Sequence, residues 1–174
     1  MNSKYVIVSG TSRKGSKSLA VAKLYQQFLQ QNNIECSILA LENLPIEIFE
    51  INSLSEILKQ IEQDILIPAT KFIFIVPEYN GSFPGSLKLW MDCSDIKNVF
   101  WNKKAALVGI ADGRNGNIRG LDHLTSVLNY LKINVLHYKV SIPNVGKTID
   151  ENNQLIDAHI QNTLFKQIEE FVKF

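Results

Sequence analysis

Residues 10 to 18 read Gly10-Thr11-Ser12-Arg13-Lys14-Gly15-Ser16-Lys17-Ser18. Two glycines permit tight backbone, four hydroxyls surround it, and Arg13 adds a guanidinium. A helix beginning here would point its N–H groups and its positive dipole end at the same place. Together these suit a dianionic phosphate. A helix start capped by Ser16 in a solvated basic loop is the competing reading. A second stretch, Pro77-Glu78-Tyr79-Asn80-Gly81-Ser82-Phe83-Pro84-Gly85-Ser86-Leu87-Lys88, is dense in residues that fix backbone in an irregular path. Such a path can aim N–H and C=O groups at a planar heterocycle, with Tyr79 or Phe83 as an aromatic wall. A structural turn with an Asn-Gly corner would use the same residues.

Other chemistries fit less well. Gly10 to Ser18 approaches the triphosphatase loop G-x-x-x-x-G-K-[ST], but Ser16 displaces the lysine by one position. The apolar run 72–76 ends in Pro77-Glu78 rather than in a magnesium-holding aspartate. G-x-G-x-x-G is absent, which argues against a dinucleotide grip. Gly81 to Gly85 places Ser82 one position early for a nucleophile elbow. His123, His137 and His159 are dispersed, with no ligand spacing, so no metal site is expected. Cys93 reads as packing, and Glu47, Glu50, Glu56, Glu62, Glu169 and Glu170 read as solvated faces. Trp90 and Trp101 could be core or interface anchors.

The elements that must position these loops alternate in period. Tyr5 to Val8 is a continuous apolar run, as suits a strand buried on both faces. Val21, Leu24, Tyr25 and Phe28 then share one helical face, and Asn32-Asn33 ends that helix. Ile34 to Leu39 reads as a second strand. An irregular stretch, 41–53, precedes a helix over 56–66 capped by Ser53 or Ser55. Phe72 to Val76 is the third strand, stopped at Pro77. A helix follows from about Pro84, with proline in its first turn. Ala105–Ala111 is a fourth strand and 120–131 a Leu-rich helix. Asn134–Tyr138 is a short fifth strand. Ile156, Ile160, Leu164, Ile168, Phe171 and Val172 mark a last helix. Five strands separated by helical crossovers predict an α/β protein, a parallel sheet with helices on both faces. In such sheets ligands bind beyond the carboxyl ends of the strands, so the loops after strands one, three and four should carry function.

The chain has 174 residues, with 18 Lys+Arg against 17 Asp+Glu for a net charge of +1. That length suits one domain spanning 1–174. Apolar residues at 45% and charged residues at 20% are ordinary globular usage, which argues against long disorder. A near-neutral balance offers no footprint for nucleic acid or an anionic membrane. No apolar run approaches the ~20 residues of a membrane span, and the first residues do not read as a secretory signal. Cys36 and Cys93 are too few for a disulfide framework. The expectation is a soluble, cytoplasmic, single-domain protein.

The stretch P-E-Y-N-G-S-x-P-G-x-L-K closely resembles the signature of the NADPH-dependent FMN reductase family. These are flavodoxin-like flavoproteins that include quinone, azo-dye and chromate reductases. Residues 10–18 resemble that family's phosphate loop, G-S-x-R-x-x-S-x-N, with Ser18 where asparagine is frequent. Gly113-Arg114-Asn115-Gly116-Asn117-Ile118-Arg119-Gly120 is similar to the glycine loop after its fourth strand, with Asn115 and Asn117 interrupting the glycines. The resemblance implies a flavodoxin-like sandwich with strand order 2-1-3-4-5. It implies that Thr11, Arg13, Ser16, Lys17 and Ser18 hold the FMN phosphate. Pro77, Glu78, Tyr79, Asn80 and Gly81 would border the isoalloxazine ring, and Asp112, Gly113, Arg114, Gly116 and Asn117 would line its other edge. NADPH or NADH would be the donor, a quinone-like small molecule the acceptor, and the assembly a homodimer or homotetramer. With hydride transfer centred on flavin N5, no side chain is required as a general acid or base. The alternative is a flavodoxin-type electron carrier, although such carriers have a T/S-x-T-G-x-T loop and an acidic surface that this chain lacks. A phospho-receiver would need acidic residues where Ser9-Gly10 and Pro77-Glu78 stand.

Overall fold

The computed structural model describes residues 4–49, 55–150 and 152–174. Three long strands, β1 (Tyr5–Ser9), β3 (Lys71–Pro77) and β4 (Lys104–Ile110), form the middle of a parallel sheet, with β2 (Cys36–Ala40) at one edge. The order is β2-β1-β3-β4-β5, as expected. β1 and β3 are buried along their whole length, which is why they read as unbroken apolar runs rather than as alternation.

The pleat divides the core in two. Val6, Val8, Phe72, Phe74 and Val76 face α2 (Glu56–Ile61), α3 (Gly85–Cys93), α4 (Ile96–Phe100) and α5 (Ile118–Tyr130). Tyr5, Ile7, Ile73 and Ile75 face α1 (Lys17–Gln31) and α7 (Ala158–Lys173). Trp90 is fully buried and meets Phe100 edge-on at 5.6 Å, so it belongs to the core. Trp101 is half-buried, with the Lys132 ammonium 3.5 Å from its ring centre.

Several expectations change. Ser55 caps α2 through the Leu58 N–H, and the helix continues as a π-helical turn, Glu62–Leu66. Glu50 and Ser53 lie outside the described residues. Glu62 is not solvated: it is 3% exposed, and Oε1 accepts the Asp95 N–H at 2.8 Å. Burial raises its pKa from the ordinary carboxylate value, while that hydrogen bond pulls the other way. Pro84 sits just before α3, at its N-cap. Ile156 precedes α7 and is exposed, and Val172 is also exposed.

The fifth strand is where the sequence misleads most. Asn134–Val135 (β5) pairs with β4, and the Leu136 N–H still donates to the Ala105 carbonyl at 2.8 Å; residues 137–139 then leave the ladder, and Val140–Ile142 (β6) rejoins β4 opposite Val108–Ile110. α7 explains the detour. Buried Gln167 donates from Nε2 to the Leu107 carbonyl at 2.9 Å and to that of Tyr138 at 2.8 Å, while its Oε1 accepts the Tyr25 hydroxyl at 2.6 Å. A side-chain amide thus spans the gap between β4 and the detour, giving the Tyr138 carbonyl a partner, as buried backbone groups require.

The lysines at the other end of the strands hold helix ends. Lys71 Nζ donates to the carbonyls of Phe171 and Val172 at 2.7 and 3.0 Å, Lys103 Nζ to those of Leu66 and Ile67 at 2.7 and 3.0 Å, and Lys104 Nζ to that of Phe174. Cations on the unpaired carbonyls of helix C-termini are favoured by hydrogen bonding and by the dipole.

Candidate functional site

In the parallel register Ser9 aligns with Ala40 and Ile75, and Pro77 with Ile110, so the loops after β1, β3 and β4 all leave at the carboxyl end of the strands. Between them lies a cleft of about 240 Å³ lined by residues 13–17, 77–79 and 110–112, with Val145 from α6 (Val145–Thr148).

The loop after β1 begins with a close approach. The Gly10 N–H donates to the Ile75 carbonyl at 2.9 Å, and a Cβ at Gly10 would stand 2.9 Å from that same oxygen. The glycine is therefore required for the turn. Gly15, at φ +70°, reverses the loop into α1. Ser16 caps α1, accepting the Ser18 N–H at 3.3 Å, and its Oγ lies 2.8 Å from that of Ser18. Ser9 Oγ donates in turn to Ser18 Oγ at 3.1 Å. Among the described residues the N–H groups of Lys14, Gly15 and Lys17 make no hydrogen bond, and Arg13 makes no ion pair. Free amides at a helix start beside an unpaired guanidinium form a donor set for an oxyanion.

Two loops are tied together behind this set. Thr11, 1% exposed, accepts the Arg13 N–H at 3.2 Å, and its Oγ1 lies 3.0 Å from the Tyr79 hydroxyl. Ser86 accepts the Ser12 N–H at 3.3 Å. The Tyr79 ring consequently stands against the phosphate-like loop and lines the cleft. Tyr79 and Ser82 exchange both backbone hydrogen bonds around Asn80 and Gly81, which carry φ +52° and +75°. That is the left-handed two-residue turn for which Asn-Gly is suited, so the corner reading holds for these two residues.

The expected site residues separate accordingly. Arg13, Ser16, Lys17, Pro77, Glu78, Tyr79 and Asp112 line the cleft. Thr11 and Ser18 stand behind the lining, holding Arg13, Tyr79 and Ser16 in place. Asn80, Gly81, Gly113 and Arg114 lie outside the lining.

Gly116 and Asn117 serve the scaffold. A Cβ on Gly116 would meet Ile142 N and Ser141 Cβ at 2.8 Å each, and one on Gly109 would meet the Gly116 carbonyl at 2.1 Å. Asn117, 1% exposed, spends its amide on the Val76 carbonyl at 3.0 Å and on the Gly120 N–H at 3.1 Å.

Sequence reasoning missed Lys14, Gly15, Ile110, Ala111 and Val145. Lys14 and Gly15 sat inside the motif as spacers. Val145 had no signal, because its place depends on the Val145 N–H meeting the Ala111 carbonyl at 3.0 Å. Ser82 Oγ also lies 2.9 Å from His123 Nδ1, joining the loop after β3 to α5.

The chain resembles known proteins in sequence and in fold. Residues 3–147 match the family model described as NADPH-dependent FMN reductase. An NAD(P)H-dependent FMN reductase of Pseudomonas aeruginosa is 30% identical over 104 residues, 58% of this chain and 56% of that protein. The chain thus spans little more than half the length of that relative. A 2-hydroxy-1,4-benzoquinone reductase of a Burkholderia species is 26% identical over 92% of this chain and 90% of its own. In fold, the chain superposes on the apo crystal structure of an NADH:FMN oxidoreductase with a TM-score of 0.80 at 17% identity, covering 97% of this chain and 88% of that one.

Proposed function

The chain belongs to the NADPH-dependent FMN reductase family, and from that premise we propose that the cleft binds FMN and that the protein is an NAD(P)H-dependent oxidoreductase. The acceptor would be a quinone-like or other small electrophile, or free flavin. The observation that carries this reading is the donor set at the end of β1: an Arg13 guanidinium and N–H groups of Lys14, Gly15 and Lys17 that are unpaired among the described residues, and the Ser16 cap, all at a helix start. It matches the doubly charged, three-oxygen end of a flavin mononucleotide.

When bound, FMN supplies the redox chemistry, accepting a hydride and passing electrons on. The protein's part is to bind, orient and leave access. Arg13 provides the charge-assisted pair for the phosphate. Thr11 fixes the Tyr79 hydroxyl, so the tyrosine ring forms a wall whose position follows the phosphate loop. Pro77 and Glu78 are held by the Glu78 N–H on the Ile110 carbonyl at 3.0 Å, which keeps this border rigid. Glu78 and Asp112 also line the cleft, from the loops after β3 and β4. A cleft of about 240 Å³ is smaller than the ~300–1,000 Å³ of sites that enclose a drug-sized ligand. A flavin bound here would not be wholly enclosed, which would leave room for a nicotinamide and an acceptor to visit in turn. Among the described residues no helix is long and apolar enough to cross a membrane. The proposal includes a cytoplasmic setting and a homodimer or homotetramer.

The test is titration of the flavin-free protein with FMN and with riboflavin. FMN should bind clearly more tightly, and Arg13→Ala should weaken FMN by about 2–3 kcal/mol while leaving riboflavin nearly unchanged. Equal affinities for the two flavins in the unmodified protein would move the phosphate elsewhere. Anaerobic bleaching of the bound flavin by NADPH or NADH separates a reductase from an electron carrier, which would show none.

A further inference from the structure

The structure assigns Lys17 a different task from the one its position in the loop suggests. We propose that it is a positioning residue that fastens a strap forming the fourth wall of the cleft, rather than a ligand of the phosphate. The strap runs from β6 through α6 into a short hairpin closed by the bridge Ile149↔Leu155. Its base is tied to the loop after β4: the Asn144 N–H donates to the Gly113 carbonyl at 3.2 Å and the Val145 N–H to that of Ala111 at 3.0 Å. Its tip is self-braced, with the Asp150 N–H on the Gln154 carbonyl at 3.0 Å and Asp150 Oδ1 accepting the Gln154 N–H at 2.7 Å.

Lys17 links the tip to the other side of the cleft. Its Nζ donates to the Asp150 carbonyl at 3.1 Å and to Asn153 Oδ1 at 3.4 Å, joining residues 133 and 136 positions apart. The ammonium is committed to two neutral oxygens on the strap, whereas the Arg13 guanidinium pairs with nothing among the described residues. Fastened at both ends, the strap presents Val145 to the cleft, with Thr148 and Ile149 buried beneath it. Removing the fastener frees the tip while leaving the base bonds intact. The loss should therefore fall on contacts along the strap and not on the phosphate.

The flavin part of this inference rests on the proposed function; the strap part does not. Hydrogen exchange of the flavin-free protein should show the amides of 148–150 and 152–156 exchanging about three- to tenfold faster in Lys17→Met, as expected for losing one or two modest hydrogen bonds. β1 should be unaffected and Lys17→Arg should restore protection. In titrations, Lys17→Met should weaken FMN and riboflavin by the same factor, leaving their ratio unchanged, whereas Arg13→Ala changes that ratio. Unchanged exchange at 148–150 and 152–156, or a loss confined to FMN, overturns the assignment. If the unmodified protein binds neither flavin, the proposed function fails, and the exchange measurement still decides whether Lys17 holds the strap.

Discussion

Asn117 sits in a loop that resembles a binding motif, with its side-chain amide engaged by the scaffold on both sides. Its backbone occupies φ +64°, its Oδ1 caps α5 through Gly120, and its Nδ2 reaches back to the end of β3. Gly120 is required opposite it, since a Cβ there would lie 2.1 Å from Asn117 Oδ1. Asn117→Ala should cost about 2 kcal/mol of stability, because a cap is lost together with a second hydrogen bond to the Val76 carbonyl. Urea unfolding checks this; a loss below about 1 kcal/mol would show that water serves these groups as well. The resemblance places Asn117 with the ring contacts; its role as a cap is not legible there, because composition does not show where a side-chain amide finds its partners. Ser16 was legible as a cap because its spacing before the apolar stripe of α1 fixes its geometry. Glu62 was read as solvated because nothing local shows that the Asp95 N–H arrives from 33 residues away.

The elements were legible where their apolar runs are long. β1, β3, β4, α1, α5 and α7 appear close to their expected bounds, because burial on one stripe or two faces leaves a periodic signal. β5 and β6 did not, since Asn134 to Tyr138 continues the strand-like pattern across a gap created by a residue on α7. Gln167 lies on the buried face of a helix whose other inward positions are Ile160, Leu164, Ile168 and Phe171. Only the structure shows that it faces the Leu107 carbonyl. Gln167→Leu keeps the volume and removes the hydrogen bonds, leaving the Leu107 and Tyr138 carbonyls and the Tyr25 hydroxyl without their partner. The expected loss is about 3 kcal/mol in chemical denaturation. An unchanged unfolding midpoint would mean that residues 137–139 close onto β4 once the amide is gone.

On the scale of the whole molecule the sheet has two different ends: loops for binding where the strands finish, and lysines gripping helix ends where they begin. Parallel topology and the placement of function were legible, because alternating strand and helix patterns fix both. The lysine grips were not, since they join residues far apart in the chain. They leave a pH signature. Burial lowers the Lys103 pKa to about 8, whereas an unfolded lysine titrates near ~10.4. Between these values the unfolded chain binds more protons, so stability should rise with pH across that window and be level below it. Relative to Lys103→Met, the unmodified protein should gain about 2 kcal/mol between pH 7.5 and 10. Paired urea melts read this directly, and a gain of the opposite sign would mean that the carbonyls of Leu66 and Ile67 hold the ammonium more tightly than burial expels it. The divided fifth strand has a further consequence, for behaviour in a crowded solution. Sheets grow between molecules when an edge offers an uninterrupted row of backbone groups. This side offers a pair of residues, a detour carrying His137 and Lys139, and then three residues. The gap left by the detour is already spanned from within by Gln167. The interruption that obscured the strand in the sequence thus protects this edge from intermolecular sheet growth.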